Sequence, residues 1–314
     1  MILTVTLNAA LDVTYRLDGL HPQGSNRVRE VADRAGGKGI NVSRVLHTLG
    51  HRTVVTGLIG GPTGEAVRSD LAAAGLSDRL VPIAGETRRT VAVVDEQAGD
   101  TAVLLEPGPV VSAAEWAHFL ERFDRLLPGA SAVVLSGSLP GGLPVDAYAV
   151  LLRRARAHGV PAVLDADGEA LRAGLAEAPD LIKPNADELA TVSDSTDPRT
   201  AAEALLAAGA RAVVASLGAD GLIACAHEGS WRARPPERVA GNPTGAGDAA
   251  VAVLTLGLIA GEPWPVRLAQ AVALSAAAVA APLAGDFDAA VHRRLLDRVE
   301  VEPLTTREGE SACH

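Results

Sequence analysis

The 314 residues are 48% hydrophobic and 21% charged, which is enough apolar content for one or two sizeable cores and too much for a disordered chain. A formal net charge of −10 and only 3% aromatic residues argue against nucleic acid or an anionic membrane as the main partner. Cys225 and Cys313 lie far apart in sequence and suit neither a disulfide framework nor a zinc site, so a reducing cytoplasm is the expected compartment.

The chain begins Ile2-Leu3-Thr4-Val5-Thr6-Leu7, which alternates like a strand and lacks the basic start and apolar run of a signal peptide. Short β-branched runs at 3–7, 53–59, 132–135, 162–164, 181–182, 212–215 and 222–226 predict strands. Helical patterns at 39–49, 64–74, 113–127, 145–158 and 199–208 fall between them, each ending near Gly or Pro. Two low-polarity runs, 249–260 and 271–284, fall short of the ~18 residues that a spanning helix needs and predict buried Ala-rich helices. The alternation predicts an α/β fold, a three-layer sandwich around a mostly parallel sheet. Residues 12–35 and 87–105 carry short β-like runs and no helix, so they predict a small projecting β-sheet, a candidate lid. The core then comprises 1–11, 36–86 and 106–303, and 304–314 reads as a loose tail.

Five segments could carry chemistry. In Asn242-Pro243-Thr244-Gly245-Ala246-Gly247-Asp248 a glycine-rich turn enters an apolar helix, where backbone N–H groups and the helix dipole favour an anion. Asp248 sits at the first turn, placed to take a proton from a hydroxyl; by itself, though, a lone Gly-x-Gly is more simply a turn and Asp248 a cap. Gly36-Gly37-Lys38-Gly39-Ile40-Asn41 opens another helix, with close backbone approach at the glycines and donors on Lys38 and Asn41, but without Walker A spacing. Ser136-Gly137-Ser138-Leu139-Pro140 follows a strand at the carboxyl end, where α/β sheets bind ligands. In Lys183-Pro184-Asn185-Ala186-Asp187-Glu188, Asn185 and Glu188 share a helical face and would suit either a hydrated magnesium ion or a capping box. Ser216-Leu217-Gly218-Ala219-Asp220-Gly221 is either a nucleotide loop or a hairpin turn.

In this order the segments resemble the ribokinase-like (PfkB) sugar kinases over roughly residues 2–301. The resemblance implies an anion hole at Gly245, Ala246 and Gly247, Asp248 as base, and ATP with magnesium. It also implies nucleotide contacts from Lys183, Asn185, Ser216, Gly218, Gly221 and Thr244, and a metal role for Asn185 and Glu188. Thr4-Val5-Thr6-Leu7-Asn8-Ala9-Ala10-Leu11-Asp12, Gly37 to Val42, Thr87-Arg88 and Ser136 to Pro140 are similar to the 1-phosphofructokinase and tagatose-6-phosphate kinase branch. By that likeness Asp12, Gly37, Lys38, Asn41 and Ser136 contact the sugar, and Arg27 and Arg88 hold a substrate phosphate through charge-assisted forks. The bland alternative pairs Arg27 with Glu30 and Arg88 with Glu86 at the surface. Three departures stand out: Ala9 in place of proline, Ala249 in place of serine, and 281–286 as a loose version of the terminal adenine loop.

The expected activity is transfer of the ATP γ-phosphate to a ketohexose phosphate (fructose 1-phosphate, tagatose 6-phosphate or fructose 6-phosphate), in a homodimer joined through the lid. The rivals are a kinase of an unphosphorylated hexose or nucleoside, and a silent sugar-phosphate sensor.

Overall fold

A computed structural model describes residues 1–193 and 195–304, so all but the first residue of the anticipated tail lie outside the described residues. In chain order the strands are β1 (Ile2–Thr6), β2 (Ala10–Leu17), β3 (Glu30–Gly36), β4 (Thr53–Ile59), β5 (Ser77–Asp78), β6 (Val81–Pro82), β7 (Arg88–Asp95), β8 (Asp100–Leu105), β9 (Ala132–Ser136), β10 (Ala162–Asp165), β11 (Leu181–Ile182), β12 (Ala212–Ser216), β13 (Leu222–Ala226), β14 (Gly229–Arg234) and β15 (Glu300–Pro303). The helices are α1 (Lys38–Thr48), α2 (Gly61–Ala73), α3 (Ala113–Leu126), α4 (Ala147–Ala157), α5 (Gly168–Leu175), α6 (Ala186–Val192), α7 (Pro198–Ala207), α8 (Ala246–Ala260), α9 (Trp264–Val279) and α10 (Ala289–Leu296).

Strand alternation builds two cores at once. On β1, Leu3 and Val5 join the apolar cluster on one face while Ile2 joins the other, and β9 splits Val133 and Leu135 from Val134 in the same way. Helices α3, α4, α5 and α7 cover the first face, with Phe119, Phe123, Tyr148 and Leu151 fully buried. Helices α1, α8 and α9 cover the second. The expected three-layer α/β architecture with a mostly parallel sheet is what the chain adopts. Its order is β15-β14-β13-β12-β11-β10-β9-β1-β4-β5, with β6 also on β4. Pairings from β12 through β5 are parallel, and β12 to β15 form an antiparallel meander at one edge. The chain builds outward from β1 first to β4 and then, in the opposite direction, to β9 and β10. Strand order therefore reverses between β1 and β9, and the crevice beyond their carboxyl ends is where such sheets bind ligands.

A separate four-stranded sheet has the order β3-β2-β7-β8, with β2 and β7 parallel and the outer pairs antiparallel. The parallel pair is possible because the chain passes through β3, α1, β4 and α2 between them. The expected helix at 271–284 instead spans Trp264–Val279: Pro265 sits in its first turn, where its missing N–H costs nothing, and Pro282 bars continuation at the far end. Helices α8 and α9 are apolar on most sides because they pack on each other and on the sheet. Ala249 is fully buried among these residues, and Ala9 is buried beneath the small sheet. Cys225 is buried in β13. Among the described residues no helix is long and apolar enough to cross a membrane.

Candidate active site

The turn entering α8 has no side-chain cap; the Ala246 N–H donates to the Pro243 carbonyl at 3.2 Å, and no bond among the described residues engages the N–H groups of Gly247 and Asp248, which can meet an anion. Gly245 holds φ +88°, and a Cβ there would lie 2.9 Å from the Cα of Ala284, so only glycine fits. A Cβ on Gly247 would stand 3.3 Å from the Lys183 Nζ, which places that buried ammonium against the backbone of the turn.

Asp248 lies behind the turn and is buried, with one oxygen accepting from Asn41 Nδ2 at 2.8 Å. Burial pushes its pKa from 3.8 up to about 7, reinforced by the negative Asp165 and opposed by Asn41, Lys38 and Lys183. A carboxylate poised near neutrality suits a general base. Asp165, at the carboxyl end of β10, ties the two lysines together: Lys183 Nζ is 3.3 Å from Oδ1 and Lys38 Nζ 3.7 Å from Oδ2. Burial alone would raise the Asp165 pKa, but Lys183, Lys38 and the Ser136 hydroxyl outweigh it and hold the group below the ordinary value. Ser136, expected to meet the sugar, is fully buried and donates to Asp165 at 2.9 Å. Asp165 escaped the sequence reading, although its position after Ala162-Val163-Leu164, at a carboxyl strand end like that of Ser136, was the available signal.

Asn185 and Glu188 form the capping box at the start of α6: the Glu188 N–H donates to Asn185 Oδ1 and the Asn185 N–H to Glu188 Oε2, both at 2.8 Å. The remaining Glu188 oxygen faces Lys38 Nζ at 3.4 Å. Burial pulls the Lys38 pKa down, but Asp165, Glu188 and Asp248 together carry it up, so the ammonium stays charged. Ser216 lies beside this segment, its N–H donating to the Pro184 carbonyl at 2.9 Å and its strand bridging to Asn185. Gly218 and Gly221, at φ +58° and +86°, shape the turn between β12 and β13, so that segment is a hairpin lying beside Lys183 to Asn185. Thr244 is exposed, its N–H donating to Asn242 Oδ1.

The other end of the site lies under the small sheet. Burial lifts the Asp12 pKa to about 6 against the opposing pull of Thr90, Arg88, Arg34 and Arg44. A Cβ on Gly36 would fall 2.0 Å from an Asp12 carboxylate oxygen, so that glycine admits the side chain. Gly37, at φ +113°, precedes α1 and so sets the direction from which Lys38 and Asn41 enter. The half-buried Arg88 donates through Nε and Nη2 to the Asn8 carbonyl, both at 3.4 Å, and Asn8 Nδ2 donates to Ser138 Oγ at 3.1 Å. Asn8 Oδ1 is buried and has no partner among the described residues, which makes Asn8 a further candidate for the site. Neither bland arginine pairing occurs: Glu86 pairs with Arg89 and Glu30 with Arg16. Arg27 is exposed between β2 and β3, and no hydrogen bond or ion pair among the described residues joins it to the rest of the site.

A glycine-lined anion turn, a buried carboxylate and two ammonium groups at the switch point of an α/β sheet describe a phosphotransferase with a hydroxyl acceptor. The chain belongs to the pfkB family of carbohydrate kinases, which it matches over residues 5–289. It is similar to phosphofructokinase-2 from Escherichia coli in complex with potassium, at 29% identity over 95% of this chain and 98% of that one, with a TM-score of 0.89. The same enzyme with fructose-6-phosphate superposes with a TM-score of 0.86, again at 29% identity and over 95% and 98% of the two chains. A possible 1-phosphofructokinase from Thermotoga maritima is 28% identical over 97% of this chain and all of that one, with a TM-score of 0.87.

Proposed function

We propose that the protein transfers the γ-phosphoryl group of ATP to a hydroxyl of a ketohexose phosphate, with fructose 1-phosphate, fructose 6-phosphate and tagatose 6-phosphate as the acceptors to test. The observation that carries this reading is the buried Asp248 directly behind the Gly245 turn, held by Asn41 and flanked by Lys38 and Lys183. Asp248 takes the proton of the attacking hydroxyl, while the backbone donors of the turn and the two ammonium groups stabilise charge on the transferring group. Asp165 and Ser136 hold those ammonium groups in place.

Among the described residues no cluster of three or more His, Cys, Asp or Glu side chains could cage a metal. Glu188 and Asn185 are engaged in their capping box and with Lys38, so they would meet a hard cation only through its waters, accepted by the remaining oxygen lone pairs, which is magnesium chemistry. Held there, magnesium would neutralise phosphate charge on the nucleotide.

Arg88 is the group proposed to read a phosphorylated acceptor. It is half-buried, its guanidinium pulled down by burial and opposed by Asp12, and it spends two donors on one carbonyl with no salt bridge among the described residues. A phosphate would supply the missing partner. The exposure of Arg27 is what favours the second reading, a free hexose or nucleoside acceptor. The small sheet would act as a lid, excluding water that otherwise competes for the phosphoryl group. Val103 and Leu105, each more than half exposed and two apart on one face of β8, support the homodimer in which two lids cover each other. A coupled ADP-release screen over the three ketohexose phosphates and the free hexoses tests the reading; turnover confined to free sugars overturns it.

A further inference from the structure

Residues 34, 35 and 36, at the end of β3, each touch a different carboxylate. Gly36 admits Asp12, as described above, and the Ala35 N–H donates to Asp70 Oδ2 at 2.9 Å, an oxygen that Arg44 also engages. Arg34 makes two parallel bonds, Nη1 to Asp286 Oδ2 and Nη2 to Oδ1, both 2.7 Å. Asp286 is 252 positions away, in the turn after α9. That turn is wedged into the active site: Ala284 lies against Gly245, and a Cβ on Gly285 would stand 3.0 Å from Arg44 Cδ and 3.3 Å from the Cα of Asn41. The glycine-rich anion turn has no side chain of its own at Gly245 or Gly247; the Ser275 hydroxyl of α9 holds it from one side by donating to the Ala246 carbonyl at 2.6 Å, and the 281–286 turn packs on it at Gly245.

We propose that Arg34 and Asp286 are positioning residues for phosphoryl transfer, a fork that ties the small sheet to the 281–286 turn and thereby seats the anion turn at Gly245 and the Asn41–Asp248 pair. The bland reading is a surface ion pair of little consequence. Two features oppose it: the contact is bidentate, which fixes orientation as well as distance, and the Arg34 side chain is 18% exposed. Neither residue touches the reacting atoms; both act through Ala284 and Gly285. The proposal rests on the kinase reading only for its activity readout.

The test is hydrogen–deuterium exchange on the intact protein without sugar or nucleotide, comparing wild type with Arg34→Ala, Asp286→Ala and the double variant. Exchange at 243–248 and 281–286 should rise at least fivefold in Arg34→Ala, even though the substitution lies on another sheet. The double variant should be no worse than either single one, because both remove the same fork. In turnover assays kcat should fall about tenfold with little change in the KM for ATP, and more ADP than phosphorylated sugar should be released. Arg34→Lys, which keeps the charge and loses the fork, should fall between wild type and Arg34→Ala in exchange, and it stands in if the alanine variant does not fold. Unchanged exchange at 243–248, or effects that multiply in the double variant, overturns the latch. A wild type that phosphorylates no sugar phosphate overturns the functional reading instead and leaves the exchange result to decide the latch.

Discussion

Replacing Asp248 by Asn separates its catalytic and structural contributions. The substitution keeps the shape and lets the new side-chain oxygen still accept from Asn41 Nδ2. It removes the base, so kcat should fall by a factor on the order of 10² to 10⁴ while ATP and sugar binding stay near normal. It should also stabilise the protein. The folded-state pKa of about 7 lies above the ordinary 3.8, so in the unfolded chain Asp248 ionises first as pH rises. Below about pH 4 both states are protonated and Asp248 imposes no penalty. Between about pH 4 and 7 the penalty accumulates, and above pH 7 it is complete. That displacement corresponds to about 4 kcal/mol as an upper bound, because the site can relax around the charge. Urea unfolding of wild type and Asp248→Asn at pH 4 and pH 8 measures it. The variant should be more stable at pH 8 by a few kcal/mol and close to wild type at pH 4. In the same frame wild-type kcat/KM should climb with pH to a plateau above about 7. Near-normal turnover by the variant refutes the assignment of the base, and a stability difference that ignores pH refutes the burial argument.

Arg88→Ala should lower kcat/KM for phosphorylated ketohexoses about tenfold or more while leaving free ketohexoses little changed, since a charge-assisted bond to phosphate is worth roughly 1.5–3 kcal/mol; equal loss on both substrates counts against a phosphate role. Glu188→Gln should raise the magnesium concentration for half-maximal rate more than the sugar KM, as measured by metal titration at fixed ATP, and a defect confined to the sugar KM counts against the metal role. Gly36→Ala would put a methyl group on the Asp12 carboxylate, so the sugar KM should rise at least tenfold with the ATP KM unchanged; an unaffected sugar KM would show that Asp12 is not held at the sugar.

The architecture was legible because its signals are local. β-branched runs of about five residues alternating with helical patterns define parallel units whatever lies around them, and the two helix-free stretches predicted a separate sheet for the same reason. Edge elements were not legible: β15 reads Glu-Val-Glu-Pro, largely exposed and charged, and takes its strand form from pairing with β14. The glycine turns at 36–39 and 242–248 also announced themselves locally, as clustered glycines leading into helical patterns. Tertiary structure alone decided what faces what. It placed Asp165 between Lys38 and Lys183, turned Ser136 inward to hold Asp165, set Lys38 against the Glu188 oxygen that the local capping box leaves over, and left Arg27 in solvent while Arg88 went half-buried. Those pairings span tens to hundreds of residues. Which carboxylate meets which cation depends on strand order and crossover geometry, and no local periodicity records either.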